Sequence, residues 1–274
     1  MLPTLVFVPL LLPSDVAPAR TVSPEISALQ DAPAAAAPAE EPPKVYPDWT
    51  GTITAGLTFT KGNSESQTIN GQADIKRETE KDRWTGSAWY NNSEQDVEDD
   101  PLTAPDESDT LETVDNLGAK LQYDYFISKK LYAYLNTKYE QDDAADLDSR
   151  YTVGTGLGYQ FYDTETFDLN AEGGLSWVRE ELEDEDANEF LAARLATNWE
   201  YLWTETTKLG QTAEVYPSLE DSDDWTSKID THADISVTKA MFVRIQHVLD
   251  YDNSPAQFKQ PADNRVIVSV GWSF

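Results

Sequence analysis

The chain has 274 residues, 50 Asp plus Glu against 20 Lys plus Arg, no Cys, two His and a formal net charge of -30. Such acidity excludes a nucleic-acid-binding surface, which needs clustered cations, and the lack of Cys excludes disulfides and thiolate metal sites. No run of about 18 apolar residues occurs, so no membrane-spanning helix is predicted, while a mean hydropathy of -0.55 leaves open strands that cross a membrane with one polar face.

Residues 1–19 read as an export signal. Leu2 to Leu12 is an apolar run too short to span, and Ala17-Pro18-Ala19 resembles a cleavage site, although no Lys or Arg precedes the run. Residues 20–48, rich in Ala, Pro and Glu without apolar periodicity, read as a flexible periplasmic linker.

From Trp49 to Phe274 apolar residues alternate with polar ones about a dozen times. The first segment sets Ile53, Ala55 and Leu57 against Thr52, Thr54 and Thr58. The second sets Ile69, Ala73 and Ile75 against Asn70, Gln72 and Asp74, and the third presents Trp84, Ala88 and Tyr90. The fourth is regular, with Leu117, Ala119, Leu121, Tyr123 and Tyr125 against Asn116, Gly118, Lys120, Gln122 and Asp124. The fifth is ambiguous, because Leu131, Ala133 and Leu135 alternate with Tyr132 and Tyr134. The sixth sets Tyr151, Val153, Leu157, Tyr159 and Phe161 against Gly154, Gly156, Gly158 and Gln160. Segments centred on Leu175, Leu195, Ala213, Ala233 and Ile245 follow, the one around Ala213 being weaker. In the last, Val266, Val268, Val270, Trp272 and Phe274 share one face; Ile267 is the only apolar residue on the other.

This pattern predicts an all-β fold: a closed antiparallel transmembrane barrel of about twelve strands in an up-and-down meander. A soluble sandwich also alternates, but its strands would not carry aromatics at the ends of an outward apolar face. The connections alternate in length. Glu78 to Lys81, Ser128 to Lys130, Asp163 to Thr166, Thr204 to Thr207 and Thr238 to Ala240 are short. Asn91 to Glu112, Glu140 to Ser149, Glu180 to Asn188, Leu219 to Asp224 and Asp252 to Asp263 are longer, and Lys61 to Glu65 breaks the rule. Bacterial barrels keep short turns in the periplasm. The expected location is therefore the outer membrane, with long loops extracellular and termini periplasmic.

Particular residues carry a resemblance. They are Thr58-Phe59-Thr60-Lys61-Gly62-Asn63-Ser64, Tyr123-Asp124-Tyr125-Phe126 before Lys130-Leu131-Tyr132, and Leu147-Asp148-Ser149-Arg150-Tyr151 before the Gly-alternating strand. With the aromatic end, they resemble a family of unknown function described as salt-induced outer membrane proteins, over roughly Trp49 to Phe274. The resemblance implies an outer-membrane barrel and an envelope role under osmotic stress, with no chemistry attached. Trp272 and Phe274 resemble the signal read by the barrel-assembly machinery.

The predicted lumen receives cations and anions in near balance. Lys120, Arg194, Arg244 and Arg265, with His232, face Asp124, Glu172 and Asp230; Lys76, Lys138, Lys208, Lys228, Asp74, Asp168, Glu200, Glu214 and Asp234 share the same parity. Balanced signs predict cross-strand pairs that brace a narrow or occluded interior, because an ion-selective pore would show rings of one sign. Asp99, Asp100, Asp142, Asp143, Asp184 and Asp186, in acidic outer loops, are candidates for a collar binding divalent cations beside lipopolysaccharide. No cofactor is expected. His232, Asp234 and Ser236 share a face and could form a hydrolytic set, but same-face neighbours lie about 7 Å apart. Three readings stay open: a narrow channel or osmotic-stress protein, a non-conducting structural or cation-binding barrel, and a membrane-embedded hydrolase. The first is favoured, and no enzymatic activity is predicted.

Overall fold

The computed structural model describes residues 49–60, 65–96, 110–183, 186–256 and 259–274. The export signal, the linker, the first outer connection and the acidic residues Asp99, Asp100 and Asp184 lie outside the described residues.

Twelve strands close into one antiparallel barrel, each pairing with its sequence neighbours. They are β1 (Thr50–Thr60), β2 (Glu65–Glu78), β3 (Asp82–Asp96), β4 (Thr110–Phe126), β5 (Leu131–Asp142), β6 (Leu147–Asp163), β7 (Phe167–Leu182), β8 (Asn188–Thr204), β9 (Thr207–Pro217), β10 (Trp225–Ser236), β11 (Met241–Asp252) and β12 (Ala262–Ser273). The meander follows from the sequence: every strand end is close to the next start, so neighbours pair as hairpins. Closure satisfies backbone groups that lipid cannot.

The outer face is that of a barrel crossing a membrane with its strands. Ile53, Leu57, Leu121, Leu157, Leu175, Leu195 and Val268 are exposed on it. Trp49, Tyr125, Tyr159, Phe161, Tyr201, Trp203, Trp272 and Phe274 are also exposed, and form one girdle at the end carrying the short turns. At the other end, Tyr90, Tyr151 and Trp177 are exposed, and Trp225 stacks on Tyr251 with centroids 4.7 Å apart. The short turns thus mark one end of the barrel, the turn end, and the longer connections mark the other, the loop end.

Two expectations change. The fifth segment's ambiguity resolves with Tyr132 and Tyr134 inward, 0% and 2% exposed. The connections expected over Asn91 to Glu112, Glu140 to Ser149 and Glu180 to Asn188 are shorter, because the flanking strands run on. Asp142 caps a single 3-10 turn, Asp143–Ala145, by accepting from Ala145 N, and Asp146 ends the turn in the left-handed region at φ 56°.

The Gly alternation of β6 has a steric cause. Across the β5–β6 ladder, Tyr132 faces Gly158, Tyr134 faces Gly156 and Asn136 faces Gly154. A Cβ on Gly158 would stand inside the Tyr132 ring, and one on Gly156 would stand 2.7 Å from the Tyr134 hydroxyl. The same device recurs where Trp89 covers Gly118 and Phe242 covers Gly271. Inward aromatics lie flat along the wall because the facing residue has no side chain.

The closing seam is unlike the other ladders. β1 and β12 pair through four rungs, Thr52↔Ser273 to Ala55↔Val270, plus reciprocal 3.0 Å bonds between Gly51 and Phe274. On its other side β1 pairs with β2 along its full length, Thr50↔Lys76 to Thr60↔Ser66.

Candidate functional site

The candidate site is the lumen, which strand parity lines with polar side chains. Its densest part is a hub on β7, β8 and β9. Arg194, 1% exposed, donates from Nη1 to Glu172 Oε2 (2.7 Å), from Nη2 to Glu214 Oε1 (2.6 Å) and from Nε to the Tyr216 hydroxyl (3.2 Å). Its guanidinium also lies 4.9 Å from the Tyr134 ring centre. Two carboxylates flank one cation with further donors in place, the condition under which a buried ion pair is tolerated.

The hub reaches across the barrel. Lys120 on β4 pairs with Glu214 on β9. Gln122 Nε2 donates to Glu172 Oε1 at 2.8 Å, and the Tyr132 hydroxyl donates to the same oxygen at 2.9 Å. Arg83 Nε donates to Asp124 Oδ2 at 2.6 Å and its guanidinium stacks on Tyr132. An apolar cluster of Val178, Phe190, Ala192 and Tyr216 fills the loop-end side of this wall.

A second group of bridges divides the lumen. Lys228 on β10 lies 3.8 Å from Glu140 on β5 and 3.2 Å from Asp250 on β11, with Nζ 4.7 Å from the Trp89 ring centre. Lys138 pairs with Glu140 at 2.8 Å and sits 4.9 Å from the Tyr216 ring. Arg265 pairs with Asp250 and lies 3.9 Å from Asp142 on β5. On the turn side of this layer lies a cavity of about 830 Å³, and on the loop side one of about 310 Å³. Trp89, Lys138, Lys228 and Arg265 line both, so the two cavities adjoin at this layer. Nearer the loop end, Arg150 on β6 bonds Glu180 at 2.6 Å and Asp252 on β11 at 2.8 Å. Lys259 pairs with Asp146 at 2.8 Å and donates to Ala144 O at 2.9 Å. Burial, with Glu180 and Asp252 nearby, pushes the Asp224 carboxyl in the β9–β10 connection above its ordinary value.

The predicted lumen residues Lys120, Asp124, Glu172, Arg194, Asp230, His232, Arg244 and Arg265 all face inward, but they do not form one network. Arg244 is held by Asp234 through Nε (2.7 Å) and Nη2 (2.9 Å) and lies 3.6 Å from Asp74. Asp230 accepts from Gln246 Nε2 at 2.6 Å. His232 has Asp230 as a neighbour at 3.9 Å and lies over Gly210. Asp234 is thus engaged with Arg244, and Ser236 is exposed at the strand's end, so the hydrolytic arrangement of His232, Asp234 and Ser236 is not assembled. His247 is exposed on the outer face, 3.2 Å from Asn264 Oδ1.

The cation-collar residues are scattered in role. Asp142 caps the 3-10 turn and faces Arg265. Asp143 accepts from Gln141 Nε2 at 3.0 Å, and Asp186 is exposed. Among the described residues, no group of three or more His, Asp or Glu is placed to hold a metal ion. Trp272 and Phe274 stand at the closing seam, Trp272 opposite Ile53 and Phe274 bonded to Gly51.

Parity alone could have found Arg83, which precedes the outward Trp84, and Tyr216, which follows Val215. Glu140 falls inside the connection expected over Glu140 to Ser149, and Arg150 directly follows it, yet both lie within strands. Nothing in the sequence signals the pairing of β10 with β5 across the lumen.

The family model described as "Protein of unknown function, DUF481" matches residues 53–274. No curated protein matches the sequence. Among solved structures, the translocator domain of the autotransporter NalP from Neisseria meningitidis is similar, with 13% identity, a TM-score of 0.44, and 82% of this chain and 86% of that one covered. The NanC porin is similar at 10% identity and TM-score 0.45, with 82% and 97% covered. An outer membrane channel from Pseudomonas putida F1 is similar at 10% identity and TM-score 0.44, with 86% and 98% covered.

Proposed function

The chain belongs to that family of unknown function, and we propose that it is an outer-membrane barrel holding a narrow passage for ions and small solutes, constricted at mid-height by ion pairs. The observation that carries this reading is the pair of cavities that adjoin at the layer of Trp89, Lys138, Lys228 and Arg265, where Lys228 bridges to Glu140. A barrel serving only as a structural element would need no internal space of about 830 Å³. A wide porin would lack bridges such as Lys228 to Glu140 across the bore.

The outer-membrane placement is supported by the apolar exterior and its two aromatic girdles. The orientation, loop end extracellular and termini periplasmic, is supported by the short turns Thr79–Lys81 and Glu205–Thr206 against the longer connection 253–261.

Charge sign should matter little to what passes. The turn-end cavity is lined by Lys76, Lys120, Lys208 and Arg244 among its cations and by Asp74, Asp168, Glu200 and Asp230 among its anions. Selectivity rests on rings of one sign, which this wall lacks. In planar bilayers with a KCl gradient, we expect small current steps with a reversal potential near zero. A strongly cation- or anion-selective reversal potential would refute the balanced lumen. Absence of current at every applied voltage would favour a non-conducting barrel.

A further inference from the structure

We propose that the β1–β12 seam is a lateral doorway through which a single-chain amphiphile, one alkyl chain with a head bearing hydroxyl donors, passes between the bilayer and the turn-end cavity. The proposal goes beyond end-to-end passage and does not depend on it.

The first observation is the backbone. Beyond Ala55↔Val270 the ladder stops. From there Gly56–Thr60 pair with β2, and Ala262–Ser269 pair with β11, but the two segments do not pair with each other. Unpaired strand edges facing lipid are costly, since hydrocarbon offers no hydrogen bonds. A wall held by four rungs on one half and none on the other is where a barrel parts most easily.

The second observation is unpartnered polar atoms. Asn70 Oδ1 and Ser269 Oγ, on residues 8% and 4% exposed, have no hydrogen-bond partner. Asn70 faces Gly56 across the β1–β2 ladder, and Val268 O lies against the same glycine. Buried polar atoms are ordinarily paired. Here oxygens gather around Gly56 at the point where pairing ends, and they would receive donors from a hydroxyl-bearing head.

The third observation is an apolar spot in a polar lumen. Ile267, the one breach of parity on β12, and Val248 on β11 both face the turn-end cavity, as do Thr54 on β1 and Asn70 on β2. Outside, Leu57 and Val266 are 65% and 74% exposed at the same seam. An alkyl chain would thus pass from Leu57 and Val266 outside to Val248 and Ile267 inside, with its head among the oxygens near Gly56. The cavity, about 830 Å³, falls in the range of about 300–1,000 Å³ that holds small ligands.

The protein has no Cys, so a staple can be introduced cleanly. Stepping the register from Ala55↔Val270 sets Leu57 opposite Val268. The full barrel carrying Leu57→Cys and Val268→Cys, reconstituted in lipid vesicles, is exposed to a monoacylglycerol with a chain diazirine. It is irradiated reduced and oxidised, and labelled residues are mapped by mass spectrometry. If the disulfide fails to form, a short bis-maleimide makes the same closure. Heat-modifiable mobility reports folding in every sample. The expected result is labelling of Val248 and Ile267 in the reduced barrel, falling several-fold on closure. Labelling that persists after closure shows access through the barrel's ends and overturns the doorway. A reduced and wild-type barrel without lumen labelling overturns the amphiphile. Ile267→Asp, in a barrel still folded, should lower labelling of Val248; an unchanged yield contradicts the apolar spot. Bilayer current reads the end-to-end path and this labelling reads the wall, so either reading can fail alone.

Discussion

At the scale of single residues, Arg194 is the side chain on which the hub of β7, β8 and β9 depends. It neutralises Glu172 and Glu214 at once, and those carboxylates in turn hold Gln122, Tyr132 and Lys120. Removing one partner of a buried pair costs about 3–5 kcal/mol, because the remaining charge is stranded, whereas replacing the whole set can be neutral. Arg194→Met should therefore destabilise the folded barrel by about that amount, measured by urea unfolding in lipid vesicles. Adding Glu172→Gln and Glu214→Gln should recover most of the loss. A triple variant as unstable as the single one would show that Arg194 acts through packing on Tyr134 rather than through its charge. The glycines of β6 show the same dependence in steric form. Gly158 is small because Tyr132 lies over it, and Tyr132 must lie there to reach Glu172 and Arg83.

At the scale of strands, parity decides what a substitution meets. Leu195 on β8 points into lipid, and Thr212 on β9 lines the turn-end cavity. Leu195→Arg should cost about 2–4 kcal/mol if it sits near the bilayer midplane, while Thr212→Arg should cost far less; equal costs in urea unfolding would mean the faces are exchanged, as a one-residue slip does. This level was the most legible in the sequence, since a period of two needs only local information. It failed at β5, where Tyr132 and Tyr134 were as apolar as Leu131 and Leu135. Only the glycines facing them on β6 break the tie, and that requires the register. It also failed at the loop end of β5 and β6, where acidic residues read as a loop. There Glu140 is held by Lys138 and Lys228, and Arg150 by Glu180 and Asp252, so polar strands persist.

At the scale of the whole barrel, the lumen residues were legible as a set but not as pairs. Arg244 with Asp234 and Arg194 with Glu172 join adjacent strands and follow from parity. Lys228 with Glu140 and Lys120 with Glu214 join opposite walls; those contacts depend on bore and strand tilt, which no local pattern encodes. The two-ended organisation predicts topology. Cys at Asp221 should react with an impermeant maleimide on intact cells, and Cys at Ser128 should react only after the outer membrane is opened. Reaction of Ser128 alone would invert the barrel.

The layer between the two cavities can be removed by substitution. Trp89 and Lys228 meet at 4.7 Å where the two cavities adjoin. Single-channel current through a folded barrel carrying Trp89→Ala and Lys228→Ala should rise several-fold over wild type at the same voltage and salt, still with little preference for ion charge. Equal currents in the two barrels, or none in either, would contradict a lumen constricted at that layer.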